Sequence, residues 1–275
     1  MRADIEVIVR HKEPVDPSWL DSRVRMVKGD FRDGRTERDT EAMSRHWETM
    51  TEGRPEMFSE PQGRANLVTA SPSGMHYQTT DYEAYSAVVG TNAMTANAYR
   101  DMRIASIGAA VQLRTGDIVS TFREGTSHAS NLWSPSCAGV ADIKDGKPDF
   151  EAALYRRLKD VLGIDRERVK KVGIVSVHAA GKPDYSGMIG YVVEVDAIKR
   201  NIKFKGRIEY VKPDAMSDFV IEHFGVRKDM NSDGAMCLMN VLEEGEFTET
   251  VKALQRRNNT QREINSGRLI DGSLE

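Results

Sequence analysis

One stretch constrains this chain more than any other. In "DFEAALYRRLKDVLG", residues 149–163, Phe150, Leu154, Leu158 and Leu162 recur at every fourth position. That spacing predicts a helix with a single apolar stripe, ended by Gly163. Such a stripe has to be buried against another layer. The segments around it supply one. "IASIGAAVQL" (104–113) and "DIVSTFRE" (117–124) flank the turn "RTGD" and read as a hairpin. "VKKVGIVSVHA" (169–179) and "MIGYVVEVD" (188–196) read as strands joined by "AGKPDYSG". A helix laid on mainly apolar strands is an α/β arrangement.

The rest of the chain extends the pattern. "IEVIVRH" (5–11) and "RVRMVKG" (23–29) are strand-like, separated by Pro14, Asp16 and Pro17. In "RTERDTEAMSRHWETMTEG" (35–53), Ala42, Met43, His46, Trp47 and Met50 share one helical face. "GRANLVTAS" (63–71) predicts a strand followed by the turn "SPSG". "TDYEAYSAVVGTN" predicts a helix that opens at Thr80 or Asp81 and ends at Gly90. "TSHASNLWSPSCAG" (126–139) reads as loop, "RIEYVK" (207–212) as strand and "PDAMSDFVIEHF" (213–224) as helix. "GAMCLMNVLEE" (234–244) fits either state, and the residues beyond about 250 are polar enough to predict a loosely held tail.

Composition excludes several function classes. A net charge of -3, with basic and acidic residues interspersed, argues against a nucleic-acid-binding surface. No apolar run approaches the roughly 18–20 residues that span a bilayer, and the N-terminal stretch lacks the apolar segment of a secretory signal. The expectation is a cytoplasmic protein with no membrane partner. The two cysteines, Cys137 and Cys237, belong to no closely spaced Cys/His set, so zinc is not expected. The phosphate-cradling patterns G-x-G-x-x-G and G-x-x-x-x-G-K-[ST] are absent.

The order hairpin, glycine loop, helix ending "LGI" resembles the Nudix family of diphosphate hydrolases, whose pattern is G-x5-E-x7-R-E-U-x-E-E-x-G-U, with U a bulky aliphatic. In "RRLKDVLGI" (156–164), Arg156, Leu158, Gly163 and Ile164 match. Gly139 matches the loop glycine, and Asp142 falls where many members have a loop glutamate. The interval from Gly139 to Arg156 is three residues longer than the pattern, which places a small insertion around "DGKP". The N-terminal half resembles the UDP-sugar-hydrolysing branch of the family. Trp47, Pro55, Phe58, Pro61 and Arg64 match one of its stretches, and Asp81, Tyr82, Tyr85, Gly90, Thr91 and Asn92 match the next.

The resemblance implies Mg²⁺-dependent cleavage of a nucleotide sugar, with carboxylates on one helix face binding the cation. The three family glutamates sit at i, i+3 and i+4, and here those positions hold Arg157, Asp160 and Val161. The scaffold pattern is present while most of the metal face is not. Asp160 is either a surviving metal ligand or a solvated helix residue. Asp142, with Asp145, Asp149 and Glu151, is either a new acidic approach to a metal or a solvated run. Arg157 either takes over part of the cation's electrostatic work or lies on the surface. Arg123, with Glu124 beside it, stands where the family has a basic residue facing phosphate. Gly139 and Arg156 are expected to border the ligand. His178 is a base or a hydrogen-bonded structural histidine, and Asn92 caps a turn or touches ligand. Tyr82, Tyr85 and Trp47 read as core.

These readings converge on a Nudix-type α/β/α sandwich with a mixed sheet and an N-terminal α+β extension. The expected division is an extension over 1–100, a Nudix-like domain over 101–245 and a polar tail over 246–275. The expected function is binding of a nucleoside diphosphate-linked ligand such as a nucleotide sugar, with metal-dependent hydrolysis weakened or lost. Two alternatives stand: an active Mg²⁺-dependent diphosphohydrolase with a rebuilt metal site, and a structural or partner-binding module.

Overall fold

The computed structural model describes residues 5–52, 63–124, 131–181, 184–258 and 264–265. The chain begins with β1 (Ile5–Val15) and β2 (Val24–Asp30), then α1 (Glu37–Thr51), β3 (Gly63–Ser71) and β4 (Gly74–Asp81). Two helices, α2 (Tyr82–Gly90) and α3 (Ala96–Asp101), lead into β5 (Ile104–Gln112) and β6 (Ile118–Arg123). Four short strands follow: β7 (Leu132–Ser134), β8 (Cys137–Val140), β9 (Ile143–Lys144) and β10 (Lys147–Pro148). Then come α4 (Phe150–Leu162), β11 (Val169–Ala180), β12 (Ser186–Val195) and β13 (Arg207–Val211). The chain ends in α5 (Met216–Val220), α6 (Ser232–Met239), α7 (Glu244–Asn258) and β14 (Ile264–Asn265). No helix among the described residues is long and apolar enough to cross a membrane.

Twelve of these strands form one mixed sheet, and β5 is its hub. One edge of β5 pairs in parallel with β12 along its whole length. The other edge is shared in turn by β3 at Ile104, by β8 from Ser106 to Ala109 and by β6 at Val111 and Gln112. The expected hairpin is therefore real only at its turn. "TSHASNLWSPSCAG", expected as loop, supplies both β7 and β8, because the free edges of β6 and β5 offer backbone partners that a local reading cannot see. Residues 126–130 of that stretch lie outside the described residues.

Strands of the N-terminal hundred residues belong to this same sheet. β1 pairs with β11, and β3 carries β4 and β2 beyond β5.

Alternation along β5 sorts the core into layers. Ala105, Ile107, Ala109 and Val111 pack with Leu154, Leu158 and Leu162 of α4. Ala110 points the other way, into the cluster built by α6 and α7. Helices therefore cover both faces of a curled mixed sheet, as expected for an α/β/α sandwich. A third cluster gathers α1, α2 and α3 around Phe31 and Ile104. Helix α4 follows the predicted boundaries. The Asp149 carboxylate accepts from the Ala152 N–H at its start, and Gly163 closes it with φ of 68°.

The polar tail expected from 246 starts instead as packed helix. Phe247, Val251 and Leu254 of α7 are buried, a stripe so sparse that the polar residues between mask it.

Candidate functional site

A cavity of about 1050 Å³ opens where α4, the first turn of α6, and strands β5, β6, β8 and β12 converge. Two sets of charges line it. Arg64, Arg123, Arg156, Arg157 and Lys205 form the basic set, and Asp184, Asp233 and Glu124 the acidic one.

Arg157 projects from α4 across β8. A Cβ on Gly139 would come within 2.8 Å of the Arg157 Cγ and 2.9 Å of its Cδ, so the glycine makes room for the side chain. The Arg157 Nε is buried and has no hydrogen-bond acceptor among the described residues. Burial lowers the pKa of Arg123, and the charge of Arg157 lowers it further, while Asp184, Tyr85 and Asp233 act in the opposite sense. Neither Arg123 nor Arg157 has an ion-pair partner among the described residues. Arg64 and Arg156 are held differently. Both pair with Asp142, and the Arg156 Nη2 also donates to the Val140 carbonyl at 3.0 Å. Burial lowers Arg64, Asp142 opposes that, and Arg156 and Arg157 add to it. The four guanidinium groups thus form one electrostatic cluster with a single carboxylate, Asp142, clamped into it.

Asp184 and Asp233 lie on the loop before β12 and at the start of α6. Ser232 donates to the Asp184 carboxylate, and the Ser186 hydroxyl donates to Asp233 Oδ1 at 2.8 Å. Burial first, then the charge of Asp233, pushes the Asp184 carboxyl up to about 7. Ser106 on β5 also borders the cavity, and its buried hydroxyl has no partner. Burial pushes the Cys137 thiol up to about 12, with the Arg157 and Arg123 charges acting against it, which favours the protonated form of this cavity-lining cysteine.

Of the residues singled out in the sequence, Gly139, Arg156, Arg157, Arg123, Glu124 and Asn92 all border this cavity. Glu124 is exposed and ion-paired with Arg207 at 3.1 Å, and Asn92 is exposed at the rim. Asp142 is engaged by its two arginines. Tyr82 and Tyr85, expected as core, line the cavity as well.

Two expectations need correction. Asp160 is exposed and does not line the cavity. It lies one turn beyond Arg157 and about 100° around the helix from Val161, which does line it. His178 is fully buried in β11 and does not reach the cavity. It stands behind Asp233, its Nε2 3.4 Å from Oδ1. Pro55, Phe58 and Pro61 lie outside the described residues.

A divalent cation on α4 does not fit these residues. The three helix positions carry an arginine, an outward carboxylate and a valine. Among the described residues, no group of three His, Cys, Asp or Glu side chains is arranged to hold a metal ion.

The residues missed in the sequence are Asp184, Asp233 and Ser106. Asp233 left a trace. "NSDGAMCLM" sets a charged residue at the head of a helix that is otherwise apolar and buried throughout. Asp184 and Ser106 left none, since only the meeting of β5, β12 and α6 brings them together.

No family model matches the sequence, and no curated protein matches it. Among solved structures, the chain is similar to DR0079 from Deinococcus radiodurans, with 16% identity over 64% of this chain and 96% of that one, at a TM-score of 0.40. It is also similar to a C. elegans Ap4A hydrolase, with 11% identity over 54% of this chain and 97% of that one, at 0.34. A third is the MutT protein of Methanosarcina mazei Go1, with 12% identity over 57% and 96%, at 0.35.

Proposed function

We propose that this chain is a Nudix-type scaffold whose cavity binds a nucleoside diphosphate-linked ligand, such as a nucleotide sugar, with Mg²⁺-dependent hydrolysis weakened or lost. The observation that carries this reading is the pair Arg123 and Arg157, adjacent in one cavity and free of ion-pair partners among the described residues. Two like charges in a partly desolvated space repel each other, and each has lost hydration. A ligand with two neighbouring anionic groups offsets both costs. The planar guanidinium fork suits phosphate oxygens through paired hydrogen bonds.

Arg157 occupies a position that the family pattern gives to a metal-binding glutamate. A fixed cation there replaces the electrostatic part of a metal's work but not its activation of water. The reading also draws on the order of motifs, in which the N-terminal stretches resemble the UDP-sugar branch.

The test is a thermal-shift titration with UDP-glucose, UDP and inorganic phosphate, with and without Mg²⁺. A diphosphate bound at a hundred times its Kd stabilises the fold by about 2.7 kcal/mol. Binding is expected without Mg²⁺ and weakened about ten- to a hundredfold in Arg157→Ala, the worth of one charge-assisted hydrogen bond of about 1.5–3 kcal/mol. Absence of stabilisation by both diphosphates, or affinity unchanged in Arg157→Ala, sinks the reading.

A further inference from the structure

We propose that Asp184 and Asp233 act as the proton acceptor of a metal-independent diphosphate hydrolysis, with Arg123 and Arg157 carrying the charge that a cation would otherwise hold. This rests on reading the cavity as a diphosphate site and adds a reaction to it.

Placement is the first support. Both carboxylates line the cavity that holds the unpaired arginines. Arg123 feels both sets, since the charges of Arg157, Asp184 and Asp233 all act on it within the same cavity. A phosphoryl group on the arginines is therefore within electrostatic reach of the acids.

Orientation is the second. Ser232 fixes Asp184, the Asp233 backbone N–H also donates to it, and Ser186 fixes Asp233. No lysine or arginine forms an ion pair with either carboxylate among the described residues. The acids are held in place by neutral donors and left free to take a proton.

The third is Ser106. Its hydroxyl is buried, borders the same cavity and has no partner among the described residues, which leaves a polar position for a water or a ligand oxygen there. The groups acting on the pair include Arg123 and the neighbouring carboxylate for Asp184, Tyr85 for both acids, and His178 at 3.4 Å and the Cys237 thiol for Asp233.

The step balances without a cofactor. A water oxygen bonds to one phosphorus while its proton passes to the unprotonated carboxylate. The bond from that phosphorus to the bridging oxygen breaks, and its electron pair leaves with the departing phosphate. The arginines take up that charge, and the acid returns its proton to solvent.

The experiment follows UDP-glucose incubated with the full chain in excess EDTA and ¹⁸O-labelled water, reading UMP and glucose 1-phosphate by mass spectrometry. The expected result is EDTA-resistant release, with one labelled oxygen in one product. Asp184→Asn and Asp233→Asn should each lower kcat by about a hundredfold or more. UDP-glucose affinity should stay within about twofold, and added Mg²⁺ should change little. Should an Asn variant melt below the assay temperature, the wild-type pH profile decides. Rising kcat through the neutral range is expected, and a flat profile between about pH 5 and about pH 9 overturns the proposal. UDP-glucose that binds but is never cleaved in EDTA overturns this inference and leaves the binding reading standing. UDP-glucose that does not bind overturns both. Full turnover in both Asn variants removes the acids from the reaction.

Discussion

Gly139→Ala is the sharpest perturbation available at this cavity. Gly139 is absent from the residues with positive φ, so its backbone does not require glycine. What requires it is Arg157, whose Cγ and Cδ would lie 2.8 and 2.9 Å from a new Cβ. Carbon atoms in contact sit about 3.5–4.0 Å apart, so roughly an ångström of movement is needed. The backbone of α4 cannot supply it easily, since Leu154, Leu158 and Leu162 are fully buried. The arginine side chain must swing instead. Overpacking of this kind costs about 1–3 kcal/mol, offset by about 0.5–1 kcal/mol because alanine suits a strand better than glycine. The net expectation is a loss of about 1–2 kcal/mol in chemical denaturation. In an Arg157→Ala background the new methyl has room, and the loss should vanish. The assay is a double-mutant cycle on stability, with UDP-glucose affinity as a second readout. A coupling of about 1–3 kcal/mol, the overpacking cost itself, is expected, along with affinity no lower in the double variant than in Arg157→Ala alone. Costs that add to within about 0.5 kcal/mol would refute the claim that the glycine exists for the arginine.

Two further outcomes test the charges. The Asp184 carboxyl lies at about 7 in the folded chain, against about 3.9 unfolded, so between those values the folded state keeps a proton that the unfolded state has released. Stability should therefore fall as pH rises through that window. The gain in melting temperature of Asp184→Asn over wild type should grow from nothing below about pH 4 to its full value above about pH 7. Parallel melting curves for the two proteins across that range would refute it. Arg157→Glu with Val161→Glu puts two carboxylates into the cavity, and Mg²⁺ titration calorimetry should detect a site that the wild type lacks, with new Mg²⁺-dependent release of UMP from UDP-glucose. Robust Mg²⁺-dependent turnover already in the wild type would overturn the reading of a lost metal face.

Helix α4 was legible to the residue, because a stripe at every fourth position and a terminal glycine are local facts. Strands β11 and β12 were legible for the same reason, as runs too apolar to be anything but buried. Strands β7 and β8 were not. They are short, include Ser134, Cys137 and Gly139, are separated by Pro135 and Ser136, and become strands only because β6 and β5 present open edges to them. The cavity divides in the same way. Its basic wall was visible through the alignment of "RRLKDVLGI" with a known pattern, which put Arg157 and Gly139 together. Its acidic wall was not, since Asp184 and Asp233 are 49 positions apart and meet only through the packing of α6 on the sheet. Asp160 was misplaced because the family pattern assumes that i, i+3 and i+4 all look inward, whereas here the inward-looking pair is Arg157 and Val161.

The position of Gly139 bears on how such a pattern should be read. In the metal-binding motif the loop glycine and the helix carboxylates are read as one device, so a surviving glycine suggests a surviving site. Here the glycine has a use that involves no metal, because it admits the stem of Arg157, and any side chain would force that arginine out. The two positions are sterically coupled whatever ion or ligand is bound. Charge follows the same logic. Once residue 157 is a cation beside Arg123, a carboxylate placed next to them on α4 would form an ion pair and neutralise the anion site. The carboxylates of Asp184 and Asp233 stand instead before β12 and on α6, where serine hydroxyls hold them and no arginine among the described residues pairs with them. Opposite charges kept apart in one cavity cost stability unless something bridges them, and a ligand with an anionic end and a hydrogen-bond-donating or water-bearing end is what would do so.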